Sequence, residues 1–296
     1  MKQTWFGLAE GTKGVLAGIA SALFLTAYLV VNKYVYNTYE IGAIEYSLIF
    51  ALAGGVFGAL SLARHMNGAV FAKVKKDAGI FAVLSLASFV AVGLLVIGQR
   101  YTTSVNASLI GTMTILTTIF FSTVLLHEHI TARQRLWVCV LFVGMYIGIV
   151  GLHRLRISTG DAIILSSEII FGFGNVLSRK LMRVHGSLIV PNVRLVVAAG
   201  FAIVLSVFFM RDWHVIDQLW LWALVAGMFY WLTMKTFAVS VHLINANHAV
   251  VLNNGQVIAT ALAGVWLLGE QYSWEKFIGS VIVLTSIYYI TWKGRG

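Results

Sequence analysis

Long apolar stretches separated by short polar segments run along the whole sequence. Ten of them come close to the ~20 residues that an α-helix needs to cross a bilayer. The predicted spans are 14–33, 41–63, 78–99, 104–126, 132–152, 160–180, 187–210, 216–237, 243–267 and 273–292. Since ten is an even number, both termini should lie on the same side of the membrane.

Composition supports the same conclusion. Of the 296 residues, 59% are hydrophobic and only 11% are charged, which excludes an ordinary soluble domain. We therefore predict an all-α integral membrane protein. A single cysteine, Cys139, excludes a disulfide framework and a thiolate metal site, and no phosphate-binding GxxxxGK[ST] motif occurs. We expect neither a metal nor a cofactor.

The charged residues predict the orientation. Of the 21 lysines and arginines, Arg194 and Lys235 fall inside spans. Thirteen lie on the side of the termini and six on the other side. The six are Lys33, Arg100, Arg154, Arg156, Arg211 and Lys276. The positive-inside rule then puts both termini in the cytoplasm. The net charge of +10 does not indicate nucleic-acid binding, because the charges are spread over short loops.

One phrase occurs twice in the sequence. LLHEHITARQ begins at Leu125 and LLGEQYSWEK begins at Leu267, which places Glu128 and Glu270 142 residues apart. Both glutamates precede the predicted start of a helix, where negative charge is favoured. We interpret them as structural markers of helix ends, with a role in transport as the alternative.

The helix that follows each phrase has its own start signal. Thr131 can cap a helix and Gln134 can complete a capping box. Ser273 can act as a cap in the second copy, where Lys276 replaces the box residue.

The repeat extends beyond this phrase. The shift of 142 also aligns Thr112 with Asn254, and a shift of 146 aligns the first span with the sixth. Each unit contains five spans, an odd number, so the second unit must enter the membrane from the opposite side. We predict two inverted repeats, 1–152 and 153–296. This arrangement is typical of secondary transporters.

These motifs carry a resemblance to a known family. YTTSVNASLIG followed by LLHEHITARQ in the first half, and LINANHAVVLNN followed by LLGEQYSWEKF in the second, resemble the EamA-type signature of the drug/metabolite transporter superfamily. The resemblance implies a multi-pass carrier of small metabolites in the bacterial inner membrane. It also implies that spans one to four and six to nine surround a central cavity.

The sequence departs from the family pattern at two positions. The family usually has a proline midway along the fourth and ninth spans, where this sequence has Ile115 and Val257. The only proline is Pro191. Bending must therefore come from other residues, with glycines as the first candidates.

Three polar side chains inside the sixth and seventh spans are candidates for substrate binding. Glu168 is about eight residues into its span, roughly 12 Å deep. Asn175 lies seven residues further on the same face, and Arg194 lies two turns inside span seven. Charges at such depth face protein or water. Glu168 is a candidate for binding a cationic group or a proton; a structural pairing is the alternative for both charged residues.

The ninth span adds an unusual set of polar side chains. Asn247, His248, Asn254 and Gln256 lie in its first half, where lone polar groups facing lipid would be costly. They should face a water-filled cavity or clamp neighbouring helices. His248 could titrate near neutral pH.

Aromatic residues complete the candidate site. Tyr28, Tyr230 and Trp231 could hold apolar or cationic parts of a substrate.

We therefore predict a secondary transporter rather than an enzyme. Its substrate would be a small polar or amphipathic metabolite, such as an amino acid or another zwitterion. The resemblance favours export. We expect alternating access, protons as the coupling ion, and a monomer or homodimer.

Two alternatives stay open. One is a lipid-carrier flippase of the same superfamily. The other is a membrane-embedded lipid-modifying enzyme, for which the HEH at 127–129 lacks the i, i+4 spacing of a helical zinc pair.

Overall fold

The computed structural model describes residues 10–127, 129, 131–150, 158–210, 214–244 and 246–291. At 150, 214–216, 246 and 247 it describes the backbone alone. Glu128 therefore lies outside the described residues, and Asn247 is described only by its backbone.

The described residues form helices and no strand. The helices are α1 Glu10–Thr38, α2 Ala43–His65, α3 Gly68–Lys76, α4 Ala78–Arg100, α5 Ser104–Gly111, α6 Met113–Leu126, α7 Ala132–Val150, α8 Thr159–His185, α9 Ile189–Phe209, α10 His214–Ile244, α11 Ala246–Asn254, α12 Gln256–Leu268 and α13 Trp274–Thr291.

These helices match the ten predicted spans, with α5 and α6 forming the fourth and α11 and α12 the ninth. Within the described residues, nine of the ten are long and apolar enough to cross a membrane. The tenth, α13, begins with Trp274, Glu275 and Lys276, which lower its apolar content. The largest error is in α10, which continues to Ile244 rather than ending at 237, because hydropathy reports the apolar section of a helix rather than its last turn.

The fourth and ninth spans are each interrupted at a matching position. Between α5 and α6, Thr112 N–H bonds to the Leu109 carbonyl three residues back, at 3.1 Å, and the Thr112 hydroxyl donates to the same oxygen. Between α11 and α12, Gly255 N–H bonds to Leu252 O at 3.0 Å. Such tight turns and side-chain bonds to the backbone break the regular helix without a proline.

The two repeats pack through each other's helices. α1 packs against α10 and α12, α8 packs against α4 and α6, and α2 packs against α9. α7 and α13 pack mainly on each other, apart from this group. We name the end of the bundle where α1 begins at Glu10 the termini face, and the end where α1 finishes at Thr38 the distal face.

The short helix α3 lies at the termini face. Its side chains Val70 and Val74, with Met66 just before it, pack against a buried cluster that includes Phe81 and Leu181. Phe71 is exposed, at 57%, whereas Met66, Val70 and Val74 are partly buried. The helix is therefore attached to the protein itself.

Both predicted helix starts are confirmed. Gln134 N–H bonds to Thr131 Oγ1 at 3.2 Å, and Thr131 N–H bonds back to Gln134 Oε1 at 3.0 Å, which is a complete capping box. In the second repeat, Lys276 N–H bonds to Ser273 Oγ at 3.4 Å without the reciprocal bond.

Candidate functional site

Three aromatic rings meet at the centre of the bundle, where α1, α2 and α10 come together. The centroids of Tyr28 and Tyr230 are 5.3 Å apart, and Phe50 lies 5.3 Å from the first ring and 5.7 Å from the second. The Tyr28 and Tyr230 hydroxyls are buried and accept or donate no hydrogen bond among the described residues. Two unsatisfied hydroxyls at this depth are costly, which is typical of a site that a ligand or water completes.

Glu168 lies beside these rings on α8 and is only 3% exposed. The Thr114 hydroxyl on α6 donates to its carboxylate, and the Thr117 hydroxyl donates to its backbone carbonyl at 2.8 Å. Gly172, one turn further along α8, lets α6 come this close, since a Cβ there would lie within 2.7 Å of the Thr117 backbone. The structure thus joins Glu168 to the interrupted fourth span.

Arg194 approaches the same rings from α9. It is 6% exposed and lies near the Tyr230 hydroxyl, while one guanidinium nitrogen donates to Met234 Sδ at 3.0 Å. It also lines a cavity of about 20 Å³, together with Phe50 and Tyr230. That volume holds about one water molecule.

Glu168 and Arg194 are therefore buried charged residues that both lie near Tyr230. Within the described residues, neither has an oppositely charged side chain at ion-pair distance. Burying an unpaired charge is expensive, so the arrangement favours a partner that brings its own charges.

The polar side chains of the ninth span, which we call the amide stripe, have a different environment from the aromatic site. They are Asn247, His248, Asn254 and Gln256. Gln256 is 4% exposed; its side-chain nitrogen donates to Ser108 O at 3.3 Å and its side-chain oxygen accepts from Thr260. Thr260 also bonds to Thr26 on α1, at 3.1 Å. We expected this stripe to face water or to clamp helices, and the structure places Gln256 in a clamp between α1, α5 and α12.

Two other side chains of this stripe also have polar contacts, in both cases with a backbone carbonyl. Asn254 is 8% exposed and donates to Val250 O of its own helix at 2.8 Å. His248 lies near the start of α11, with Nδ1 3.1 Å from Ile244 O. The side chain of Asn247 is outside the described residues. The structure does not gather these residues around Glu168.

Asn175 and Trp231 lie nearer the termini face. Asn175 donates to the Thr118 hydroxyl on α6 at 3.3 Å. Trp231 donates to Asn192 Oδ1 at 3.0 Å, and Lys235 Nζ lies 4.9 Å from its ring centroid. Trp231 packs against the buried cluster that contains the three central rings, and its indole N–H is bonded to Asn192.

A buried network toward the distal face was missed in the sequence. Tyr46 donates to Asn32 Oδ1 at 2.8 Å, Asn32 donates to Gln99 Oε1 at 3.1 Å, and all three side chains are completely buried. Lys33 adds a bond to the Gln99 carbonyl at 3.2 Å. Two polar amides near the ends of apolar spans were the available signal.

Glu270 corrects one detail of our interpretation. Its carboxylate accepts from the backbone N–H of Ser104 at 2.7 Å and of Val105 at 3.1 Å. It does mark a helix end, but that end belongs to α5 of the other repeat and not to α13, which follows it in sequence.

The distal halves of the fourth and ninth spans are packed more closely than the halves toward the termini face. Six of the eight residues of α5 are buried, whereas only Leu116 and Ser122 of the fourteen in α6 are. α5 packs against α12 toward the distal face, while α6 and α11 have at most a slight contact in the described part of the chain. The bundle is therefore tighter at the distal face than at the termini face.

Comparisons with known proteins agree with this architecture. The "Uncharacterized transporter YyaM" of Bacillus subtilis (strain 168) is 27% identical over 165 residues, 54% of this chain. The match spans about half the length of that relative, 53%. A solved structure described only as "Crystal structure of protein" aligns with a TM-score of 0.68 at 15% identity, covering 96% of this chain and 98% of the other. That likeness shows the fold.

The sequence model of the EamA-like transporter family matches this chain twice, at residues 12–150 and 158–292. The two matches together span nearly the whole sequence and correspond to the two repeats. This identifies a multi-pass membrane protein of a transporter family rather than of an enzyme family. The chain belongs to the EamA-like transporter family, within the drug/metabolite transporter superfamily.

Proposed function

We propose that this transporter exports a small zwitterion, an amino acid or a related metabolite, by alternating access. One observation carries the proposal: a buried carboxylate and a buried guanidinium, Glu168 and Arg194, both lie near Tyr230 without a charged partner among the described residues. A zwitterion provides both of the missing opposite charges.

The chemistry of the site supports this substrate class. A substrate carboxylate would bind to the Arg194 guanidinium, whose planar fork matches a carboxylate. A substrate ammonium group would bind to Glu168 and to the faces of the central rings. The unsatisfied hydroxyls of Tyr28 and Tyr230 would complete the contacts.

The interrupted spans support alternating access. Interruptions at corresponding positions of two inverted repeats are typical of transporters that expose a central site to each side in turn. The bundle is packed between α5 and α12 and is looser between α6 and α11. The 20 Å³ cavity is too small for a metabolite, so the site must widen during transport.

The remaining features of the proposal rest on sequence. The excess of basic residues on the termini side supports cytoplasmic termini in a bacterial inner membrane. The termini face is then the cytoplasmic face. Export is supported by the family resemblance, and protons as the coupling ion by Glu168. The repeat boundaries 1–152 and 153–296, and a monomer or homodimer, stay predictions.

A binding assay on the purified protein tests the substrate class. Ligands that bind the folded state raise its apparent stability, by about 2.7 kcal/mol at a hundred times Kd. Thermal unfolding would be followed with amino acids, with the matching amines that lack the carboxylate, and with the matching acids that lack the amine. We expect the zwitterions to raise Tm most.

Two conservative variants locate the binding. Glu168→Gln should weaken the stabilisation by zwitterions and amines, and Arg194→Lys that by zwitterions and acids, each by about tenfold in affinity or more. Glu45→Gln, at the start of α2, is the matched control and should behave as the parent. Equal stabilisation of all three variants would show that the substrate binds elsewhere. A response to lipid-linked headgroups alone would favour a flippase.

A further inference from the structure

The N-terminus of α5 is held by a side chain from the other repeat. Glu270 Oε1 accepts from Ser104 N–H at 2.7 Å and Glu270 Oε2 from Val105 N–H at 3.1 Å. Thr103 Oγ1 accepts from Asn106 N–H at 3.1 Å. Free N–H groups of a first helical turn need such acceptors, and a carboxylate is the strongest one available. Glu270 thus provides two of the three bonds that cap α5.

The local sequence directs Glu270 to this position. α12 ends at Gly269, whose φ of 65° lies in the left-handed region that glycine adopts most easily. This turn brings Glu270 N–H back to Gly264 O at 3.0 Å. A Cβ at Gly264 would lie 2.9 Å from Glu270 Oε2 and 3.2 Å from Val105 Cγ2. Both glycines are therefore needed for the carboxylate to reach α5.

The lysines near Glu270 do not compete with α5 for hydrogen bonds to its carboxylate. Lys33 and Lys276 are the cations near Glu270. Lys33 Nζ donates to Gln99 O at 3.2 Å, and Lys276 Nζ donates to Gln271 O at 3.2 Å. The lysines thus give Glu270 a positive surrounding, and its hydrogen bonds go to the backbone of α5.

We infer that Glu270 is a positioning residue that holds the distal gate, the contact between α5 and α12, closed. This inference rests on the alternating access proposed above. If the two repeats exchange which end is open, α5 and α12 must separate at the distal face. The carboxylate–amide bonds then break, because they are the hydrogen bonds that join the turn after α12 directly to the first turn of α5.

The gate is connected to the substrate site through α5. This helix leads through the turn at Thr112 into α6, where Thr114 donates to Glu168. A movement of the first turn of α5 would reach the Thr114 hydroxyl over about three helical turns. Glu270 therefore links the distal face to the carboxylate that we assign to the substrate.

Thiol labelling of the purified protein in detergent tests this inference without a known substrate. Cys139, which is exposed, would first be replaced by alanine. Two reporters would then be introduced separately. Ser108→Cys lies in α5 at a completely buried position, and Thr118→Cys lies in α6 toward the termini face. The rate of reaction with a small polar thiol reagent reports how open each end is.

The contact between the Glu270 carboxylate and the first turn of α5, which we call the latch, would be weakened in two independent ways. Glu270→Gln removes the charge and one of the two acceptor oxygens. Gly264→Ala keeps the charge but places a methyl group against the carboxylate. Glu40→Gln removes an exposed charge on the same face and is the matched control. For both latch variants we expect labelling at Ser108→Cys to increase about tenfold, the equivalent of one charge-assisted hydrogen bond, and labelling at Thr118→Cys to decrease.

The possible outcomes are distinct. Unchanged labelling at Ser108→Cys in both latch variants would overturn the inference, and so would an increase at both reporters, because that indicates general loosening instead of a gate. If labelling changes as expected while no zwitterion binds, the latch stands and the proposed substrate fails. If zwitterions bind while labelling is unchanged, the substrate stands and the latch fails.

Discussion

At the scale of single residues, buried polar groups in this bundle fall into two kinds. Gln256, Thr260 and Thr26 have their hydrogen bonds within the protein and join helices. The Tyr28 and Tyr230 hydroxyls have none among the described residues. A satisfied group stabilises the fold, whereas an unsatisfied one at the same depth is a candidate for ligand contact. The sequence shows all five as polar residues in apolar spans and does not separate the two kinds.

Glu168 is predicted to give transport its dependence on pH. Its equivalent in the first repeat is Ala22, so the fold does not need a carboxylate at both positions. Glu168→Gln keeps the shape and removes titration. We expect this variant to insert normally and to transport without dependence on pH, measured as substrate flux into proteoliposomes over a range of pH.

The control for this prediction is Glu45→Gln, which removes a carboxylate from the first turn of α2. It should keep the pH profile of the parent. A Glu168→Gln protein with the full rate and the same profile as the parent would mean that Glu168 has a structural role only.

At the scale of helices, the contact between α6 and α8 positions the site. α8 carries both Gly172 and Gly174, and the sequence alone does not tell which of them allows close packing. The structure distinguishes them: a Cβ at Gly172 would lie within 2.7 Å of the Thr117 backbone, whereas a Cβ at Gly174 would lie 3.6 Å from Leu84 Cδ1, an ordinary contact. Only the first glycine is required for the helices to approach.

Gly172→Ala should therefore destabilise the protein, and Gly174→Ala should not. Overpacking a close helix contact costs about 1–3 kcal/mol, while a tolerated change costs about 0.5 kcal/mol or less. Thermal unfolding of the two purified variants beside the parent measures the difference. Equal Tm values for the two variants would show that α6 and α8 do not approach as described.

At the scale of the whole molecule, the two inverted repeats give the bundle its two faces. Short connections keep neighbouring spans antiparallel, so Glu10 and Thr291 lie at the termini face, and Thr38 and Trp274 at the distal face. The distribution of lysine and arginine then decides which face points to the cytoplasm.

The orientation is tested by labelling intact cells with a membrane-impermeant thiol reagent. In the Cys139→Ala background, Gly11→Cys should be protected and Glu40→Cys should react. Both positions are exposed in the structure, so accessibility within the protein is matched. The reverse pattern would place the termini outside and invert the proposed direction of transport.

The sequence by itself determined the architecture. Hydropathy placed the spans because a bilayer requires about twenty apolar residues per crossing, and the repeated phrase with its odd number of spans per unit established the inverted repeat. The helix starts at Thr131 and Ser273 were predictable for a similar reason: a cap acts within four residues of its own helix.

Only the tertiary structure decided which side chains meet. Glu270 caps a helix 166 residues away, and Phe50 joins Tyr28 and Tyr230 from separate helices. Gln256, predicted to line the substrate site, is hydrogen-bonded to both α1 and α5. These pairings depend on how each helix is rotated and how its neighbours pack. Hydropathy along a span that is apolar all round carries no information on that rotation.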